Sequence, residues 1–146
     1  MCRDWESGIK RLLDEQRVGV LCTSENSQPY GSPMAFIVAE DLSWLGFAAD
    51  RNSRKTGILE RNPLSAFVVD NRPVGELQAQ SLEVAVIRGM AVPVTGEEVH
   101  QTRYALISRH PEFADFFLSA TTLMYRLTIT DIMYNAGLTG DDPEHA

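Results

Sequence analysis

Apolar and polar residues alternate along this chain with two different periods, and these periods predict where its helices and strands lie. Four apolar residues near the start recur at helical spacing, which predicts an amphipathic helix over residues 5–16, packed on the rest of the fold. Short β-prone runs bounded by turn residues predict strands further along. The predicted strands are 18–23, 28–39, 42–49, 64–69, 82–94 and 124–134. Polar turns separate the first three runs, so we expect three sequential antiparallel strands that begin with a hairpin.

Two helices are predicted between the later strands. Ser53 is a suitable N-cap for a short helix that ends near Arg61, because Pro63 disfavours helical backbone at the residue before it. The segment Thr95–Glu98 has the spacing of a capping box, in which a threonine and a glutamate satisfy each other's backbone donors. This spacing predicts a helix that runs to about Ser108.

A second short helix follows, with Pro111 in its first turn. Its residues Phe113, Phe116 and Phe117 have helical spacing and are expected to pack in the core. Gly89 interrupts the longest predicted strand, which indicates a bulge or bend. Strands joined mostly by turns, with single helices inserted, are typical of an antiparallel barrel with peripheral helices and not of a doubly wound parallel sheet.

Length and composition predict a single domain over residues 1–146, with 44% hydrophobic and 23% charged residues. No apolar stretch approaches the roughly 20 residues of a membrane-spanning helix, and the first residues do not resemble a signal peptide, so a cytoplasmic protein is expected. Cys2 and Cys22 are expected to be free thiols, and no metal-ligand spacing is present. The acidic, polar tail 137–146 is expected to be flexible.

The formal net charge of −7 argues against binding to nucleic acid, which requires a surplus of basic residues on one face. The chain also contains no glycine-rich dinucleotide or nucleotide motif, no nucleophile-elbow motif and no paired-histidine zinc motif. The better-known phosphate, hydrolase and metalloprotease signatures are therefore excluded.

A local excess of positive charge stands out in this acidic sequence. Arg51, Arg54 and Lys55 crowd the start of the helix that Ser53 is predicted to cap. A helix N-terminus is itself partly positive, so each cation there costs about 0.3 to 1 kcal/mol unless an anion is bound. A phosphate would accept hydrogen bonds from the free N–H groups, from the hydroxyls of Ser53 and Thr56, and from the basic side chains. The alternative is a solvated helix end whose basic groups pair with surface carboxylates, and the residues alone leave the two interpretations open.

Several short segments occur in an order and spacing that resemble a known family. They are Val18–Thr23, Gln28–Met34, Leu45–Ala49, Ser53–Thr56 with Leu59, Arg61, Asn62 and Pro63, then Gly89–Ala91, Tyr104 and His110–Glu112. Between about Leu12 and Ile132 the chain resembles the pyridoxamine 5'-phosphate oxidase-like FMN-binding split barrels. The resemblance implies an antiparallel split β-barrel with Greek-key connections, mostly β with peripheral helices.

The resemblance also implies an FMN site. Ser53–Thr56 match the segment that holds the FMN phosphate, Pro33–Ala35 match the strand along the isoalloxazine ring, and Ala48–Ala49 match the strand end between them. The expected cofactor-binding residues are Pro33, Met34, Ala35, Ala48, Ala49, Ser53, Arg54, Lys55 and Thr56. In this family the flavin lies at a homodimer interface, so a second copy of the chain is expected to complete each site.

The function implied by the resemblance is an FMN-dependent oxidoreductase that acts on a small molecule. Two alternatives stay open: a non-catalytic flavin or haem binding protein, and a barrel that has lost its cofactor. Members of the family also use deazaflavin F420 or haem in place of FMN. The chain after Tyr134 lacks the arginine and histidine extension of the true pyridoxamine phosphate oxidases, so that reaction is not expected.

No catalytic residue is assigned from the sequence. His110, before Pro111, is expected to be a cap or a surface residue. Tyr30 and Trp44 have rings that could stack on a flavin, although aromatic residues in strands usually belong to the core. Cys22 is expected to be a small buried residue and not a nucleophile.

Overall fold

In the residues that the structure describes, one curled antiparallel sheet of eight strands, with helices packed around it, forms the fold. The computed structural model describes residues 4–76, 81–136 and 144–145. The strands are β1 (Val18–Glu25), β2 (Gln28–Ala35), β3 (Ile37–Val38), β4 (Trp44–Asp50), β5 (Leu64–Asp70), β6 (Glu83–Pro93), β7 (Thr122–Ala136) and β8 (Glu144–His145). The helices are α1 (Asp4–Glu15), α2 (Arg54–Arg61), α3 (Glu97–Arg109) and α4 (Ala114–Leu118), with a 3-10 turn over Pro111–Phe113 before α4. The expected fold class, mostly antiparallel strands in a split barrel with peripheral helices, is confirmed.

The strand order is β2-β1-β5-β6-β7-β4-β3, and β8 pairs with β7. The predicted hairpin between β1 and β2 is present, and both residues of its turn, Asn26 and Ser27, have positive φ. Such a turn matches the right-handed twist of paired strands. The expected three sequential antiparallel strands are present, because the predicted strand 28–39 pairs with β1 through β2 and with β4 through β3. The other edge of β4 pairs with β7. The predicted strand 28–39 is divided at Phe36.

The path of paired strands ends at β2 on one side and at β3 on the other. β2 carries two prolines, Pro29 and Pro33, opposite Ser24 and Val20 of β1. Proline has no backbone N–H, so it is tolerated where that group would point away from the neighbouring strand. At the other end, β3 has only two residues.

The predicted irregularity at Gly89 is a β-bulge between β6 and β7. The register shifts between Arg88, which faces Asp131, and Gly89, which faces Ile129. Thr130 is left without a cross-strand partner, and its hydroxyl donates to the Arg88 carbonyl at 3.0 Å. The bulge bends the two longest strands of the sheet and so helps it to curl.

Buried apolar side chains fill the inside of the curled sheet and the space under α1. The largest fully buried residues are Phe36, Phe47, Phe67, Phe117, Ile9, Leu12, Leu13, Leu21, Leu45, Ile87, Leu106 and Leu127. The prediction that the apolar face of α1 packs on the rest of the fold is therefore confirmed. Met34 and Val38, which lie two residues before and after Phe36 in the predicted strand, pack against the same cluster. These three alternate residues therefore all point inward.

The predicted capping box at the start of α3 is wrong. Gly96 occupies the N-cap position with φ 64°, and no side chain caps the helix. Glycine adopts this left-handed backbone without strain, so the chain turns at Gly96 and the helix begins one residue later than a Thr95 cap requires. The Glu98 carboxylate lies 3.6 Å from Arg126 Nη1 instead of reaching back to the N-cap.

Two residues of the tail, which was expected to be flexible, form a short strand. Glu144 and His145 form β8, which pairs with Tyr134 and Met133 of β7. The rest of the predicted flexible tail, residues 137–143 and 146, lies outside the described residues.

Candidate functional site

The junction between β4 and α2 is a tight turn held by its own polar groups. The Asp50 carboxylate accepts a hydrogen bond from the Asn52 N–H at 2.8 Å, and the Asp50 carbonyl accepts from the Ser53 N–H at 3.0 Å. Such local bonds are the reason why aspartate and serine favour turns. They set the direction in which α2 leaves the sheet.

The two hydroxyl groups of this junction donate to backbone carbonyls. Ser53 is the N-cap of α2 by position, but its Oγ donates to the Asp50 carbonyl at 2.8 Å and caps no N–H group. Thr56 is buried, and its Oγ1 lies 2.8 Å from the Ser53 carbonyl and 3.0 Å from that of Arg51. In this arrangement the hydroxyls hold the turn together. The donors that remain for an anion are the first N–H groups of α2 and the basic side chains.

Arg51, Arg54 and Lys55 form no ion pair with any carboxylate of the described residues. The other described lysine and arginine residues each pair with a carboxylate, apart from Arg103, which donates to the Phe117 carbonyl at 2.9 Å. Within the described residues this disagrees with a helix end fully neutralised by surface carboxylates, although the hydrogen bond from Arg61 and, to a smaller extent, the charge of Arg54 lower the pKa of Glu25. In a chain with a net charge of −7, unpaired cations are concentrated at this one turn.

A pocket of about 280 Å³ lies beside this turn. It is lined by Pro33, Met34, Ala35, Ala48, Ala49, Asp50, Lys55, Phe113, Phe116 and Phe117. Six of the nine sequence-predicted site residues are among these. The curl of the sheet brings them together, since β2 and β4 share no ladder and belong to opposite halves of the strand path. Ala48 and Ala49 are both buried, and their small side chains leave the space open.

The three remaining predicted residues lie outside this pocket. Arg54 lines a separate groove, where its guanidinium lies 5.6 Å from the ring centroid of Tyr30. Thr56 lines a third groove together with Arg51. Ser53 lines none of these three cavities. Lys55 is thus the basic residue that the structure places in the pocket itself.

The aromatic residues of α4 and the turn before it were missed as site residues. Phe117 is buried as expected, but Phe113 and Phe116 are 45% and 41% exposed and line the pocket. Their helical spacing does place the three residues on one face, as predicted. The prediction that this whole face packs in the core is wrong, because part of it lines the pocket. The only sequence signal was the excess of three phenylalanines in a helix too short to bury them all.

The turn from α3 to α4 is anchored to α1 by two arginines. Arg109 Nη2 lies 3.1, 2.9 and 2.6 Å from the carbonyls of Leu13, Asp14 and Gln16 at the end of α1. Arg17 in turn donates to the Arg109 carbonyl at 2.8 Å, at the end of α3. Arg109 therefore satisfies carbonyls at the end of α1, and Arg17 satisfies one carbonyl at the end of α3.

His110 is the C-cap residue of α3, as one of the two expectations has it, but it is a core residue, and the alternative expectation of a surface position is wrong. It is fully buried, and its Nε2 lies 2.8 Å from the Phe36 carbonyl. A carbonyl only accepts, so Nε2 carries the proton of the neutral ring. Burial lowers the pKa of His110, the cations of Arg109 and Arg17 lower it further, and Phe36 and Glu112 act in the opposite direction.

This environment predicts an acid-sensitive fold. The folded state disfavours protonated His110, so the free energy of unfolding should fall progressively as the pH decreases below about 6.5. Urea unfolding at several pH values measures the dependence. His110→Gln, which keeps an N–H donor but does not titrate, should remove it, whereas His100→Gln on the exposed face of α3 should keep it. An unchanged dependence in His110→Gln would contradict this assignment.

Trp44 and Cys22 have structural environments away from the pocket. The Arg126 guanidinium lies 3.8 Å from the Trp44 ring centroid, and Trp44 lines a different cavity, of about 780 Å³. Cys22 is a free thiol, and burial raises its pKa, which disfavours the nucleophilic thiolate. Cys2 lies outside the described residues.

Within the described residues, no group of three or more histidine, cysteine, aspartate or glutamate side chains is placed to hold a metal ion. None of the described helices has the length and apolar character of a membrane-spanning segment.

Comparison with protein families gives one match. A family model described as pyridoxamine 5'-phosphate oxidase matches residues 6–126. No curated protein sequence matches the chain.

Solved structures with the same fold have different ligands. A haem-binding protein from Mycobacterium smegmatis matches with a TM-score of 0.79 and 13% identity, over 92% of this chain and 54% of that one. This chain thus spans about half the length of the mycobacterial protein. A FAD-binding protein from Mesorhizobium loti matches with a TM-score of 0.72 and 18% identity, over 88% and 90% of the two chains. A haem storage protein from Vibrio cholerae matches with a TM-score of 0.76 and 18% identity, over 91% and 94%. At these identities the matches establish the fold alone.

Proposed function

The chain belongs to the pyridoxamine 5'-phosphate oxidase family, and we propose that it is an FMN-binding oxidoreductase whose cofactor lies in the pocket between β2, β4 and α4. The observation that carries the proposal is the set of unpaired cations at the start of α2. Lys55 places one of them in a pocket whose other lining residues are apolar, except for Asp50. A site with one cationic end and an apolar body fits a phosphate joined to a flat ring system.

The residues present fit FMN in the chemistry of their donors. Lys55 and the first N–H groups of α2 would bind the phosphate, and the main chain of Pro33–Ala35 with the small side chains of Ala48 and Ala49 would accommodate the ring. When bound, FMN supplies the redox chemistry, which is the transfer of a hydride or of single electrons. The pocket contributes no evident acid or base, because the Asp50 carboxylate accepts hydrogen bonds from the Asn52 N–H and the Thr121 hydroxyl. We therefore assign no catalytic side chain.

The absorbance spectrum of the purified protein, followed by titration with FMN, tests the proposal. We expect visible flavin bands in the isolated protein, or saturable binding of one FMN per chain after the cofactor has been removed. Bleaching of the bound flavin by a hydride donor, and its return on addition of an acceptor, would support an oxidoreductase over a store. A colourless protein that does not bind FMN would refute the proposal.

Haem is the second candidate, because two proteins of the same fold are named as haem proteins. Among the described residues, however, no histidine lines the pocket. His110 is buried against the Phe36 carbonyl, and His100 is exposed on α3. The described residues thus supply no histidine ligand for a haem iron at this place. A Soret band in the isolated protein would favour haem over FMN.

We further propose that the protein is a homodimer whose second copy completes the flavin site. The outer face of the sheet exposes Leu64 and Met90, which are cross-strand neighbours, and Val92, two residues along on the same face. Such an apolar patch is typical of a subunit contact. Sedimentation at micromolar concentration should give about twice the monomer mass of 16.3 kDa. A monomer that binds FMN stoichiometrically would contradict a shared site.

A further inference from the structure

The short helix α4 and the turn before it present two partly exposed phenyl rings. Phe113 is 45% exposed and Phe116 is 41% exposed, although both belong to an aromatic cluster around the buried Phe117. Exposed apolar area costs about 25 cal/mol per Å² relative to burial, so two such rings around one buried phenylalanine indicate a surface that is covered in the working protein. Both rings line the pocket that contains Lys55. We call these two side chains the aromatic wall.

The aromatic wall is held in place from behind. The ring centroid of Phe117 lies 5.7 Å from that of Phe116 and 6.4 Å from that of Phe113, the latter pair edge to face. The Phe117 carbonyl accepts a hydrogen bond from Arg103 Nε at 2.9 Å. A rigid wall loses little conformational entropy when a ligand binds against it.

The wall is also tied to the turn that carries the unpaired cations. The Arg51 N–H donates to the Thr121 carbonyl at 2.8 Å, and the Thr121 hydroxyl donates to the Asp50 carboxylate at 3.3 Å. The segment that follows α4 is thereby joined to the end of β4. The position of the wall relative to Lys55 is fixed by the fold.

Charge within the pocket indicates what the wall faces. Among its described lining residues, Lys55 is the only cation and forms no ion pair, while the carboxylate of Asp50 is occupied by two donors. The remaining lining side chains are apolar. A ligand that satisfies both parts has an anionic end at Lys55 and a flat apolar body against the phenyl rings.

We propose that the aromatic wall, Phe113 and Phe116, recognises the ring end of the ligand independently of the recognition of its anionic end by Lys55. This inference rests on the proposed flavin function and assigns a binding role to two residues that the sequence placed in the core. Aromatic side chains select planar rings by offset or edge-to-face contacts, which add to simple burial. The pocket thus selects planar ring systems, and the anion adds affinity separately.

The test measures dissociation constants by calorimetry for FMN and for riboflavin, which has the same ring and no phosphate. Phe116→Ala should weaken the binding of both ligands by the same factor, about tenfold, which corresponds to about 1.4 kcal/mol. Phe116→Tyr, which keeps a ring, should bind both within about twofold of wild type. Leu118→Ala is the matched control, because Leu118 is 63% exposed on the same helix and does not line the pocket.

The outcomes separate this inference from the proposed function. Wild-type protein that binds neither ligand would refute both. If the wild type binds flavin and Phe116→Ala binds FMN and riboflavin as tightly, the aromatic wall has no role in binding and the inference is wrong. If Phe116→Ala instead converts a dimer to a monomer without a change in affinity, the wall is a subunit contact and the inference is equally wrong. A loss for FMN alone would also overturn it, because a ring contact acts on both ligands.

Discussion

Replacing Lys55 with alanine should weaken FMN binding about 10- to 100-fold and leave riboflavin binding within about twofold of wild type. A hydrogen bond to a charged group contributes about 1.5 to 3 kcal/mol, and Lys55 is the only cation in the described lining of the pocket. Riboflavin lacks the phosphate and should not respond. Calorimetric titration of both ligands measures the difference. The FMN effect should also shrink as salt increases, since a charge interaction near the surface is screened.

Two further variants test whether the effect is specific to Lys55. Lys10→Ala removes the same side chain from α1, where Lys10 lies 3.9 Å from Glu6, and should change neither affinity. Arg54→Ala should weaken FMN binding less than Lys55→Ala, because Arg54 lines the neighbouring groove against Tyr30. Equal FMN affinity in wild type and in both α2 variants would remove the phosphate site from the proposal.

The second large effect concerns stability. Gly89→Ala should lower the free energy of unfolding by about 3 kcal/mol, the upper part of the range for overpacked sites. A β-carbon at Gly89 would collide with the Thr128 carbonyl oxygen of the adjacent strand. A backbone atom in a paired strand cannot move aside as a side chain can, so the bulge itself must open. Urea unfolding at fixed protein concentration measures the change.

Gly31→Ala provides the control for this prediction. Gly31 is also a glycine in a strand, but a β-carbon there would only reach ordinary contact, 3.5 Å from Val20 Cγ1. Alanine at this position should leave stability unchanged or raise it by up to about 1 kcal/mol, because it reduces the freedom of the unfolded chain. If Gly89→Ala and Gly31→Ala unfold at the same urea concentration, the close approach at the bulge does not limit stability.

Local features of the fold were predictable from the sequence, whereas long-range pairing was not. The turn 24–27, the helix that ends before Pro63 and the irregularity at Gly89 each depend on residues near in sequence, and all three occur in the structure. The pairing of β4 with β7 joins segments about 80 residues apart, and no local pattern specifies it. The prediction of a capping box at the start of α3 was wrong for a local reason, because a glycine with left-handed backbone occupies the N-cap position.

The candidate site, too, was predictable only in part from the sequence. Lys55 and the strand residues Pro33–Ala35 were predicted from charge and from family resemblance, and the structure brings them into one pocket with Ala48 and Ala49. The site roles of all these residues stay predictions. The aromatic wall and the buried position of His110 were missed because hydrophobic spacing tells which residues share a face, but not whether that face meets the core or a cavity.

The ends of the strand path have a consequence for how copies of this chain associate. Unpaired strand edges are the usual route by which sheets extend from one molecule into the next. Here one edge strand carries two prolines, which remove hydrogen-bond donors, and the other is only two residues long. Neither offers a template for a ninth strand from a neighbour. At these two ends of the described strand path, a second copy can therefore join more readily through packed side chains than by adding a strand, and this disfavours fibre-like growth from either end at high concentration.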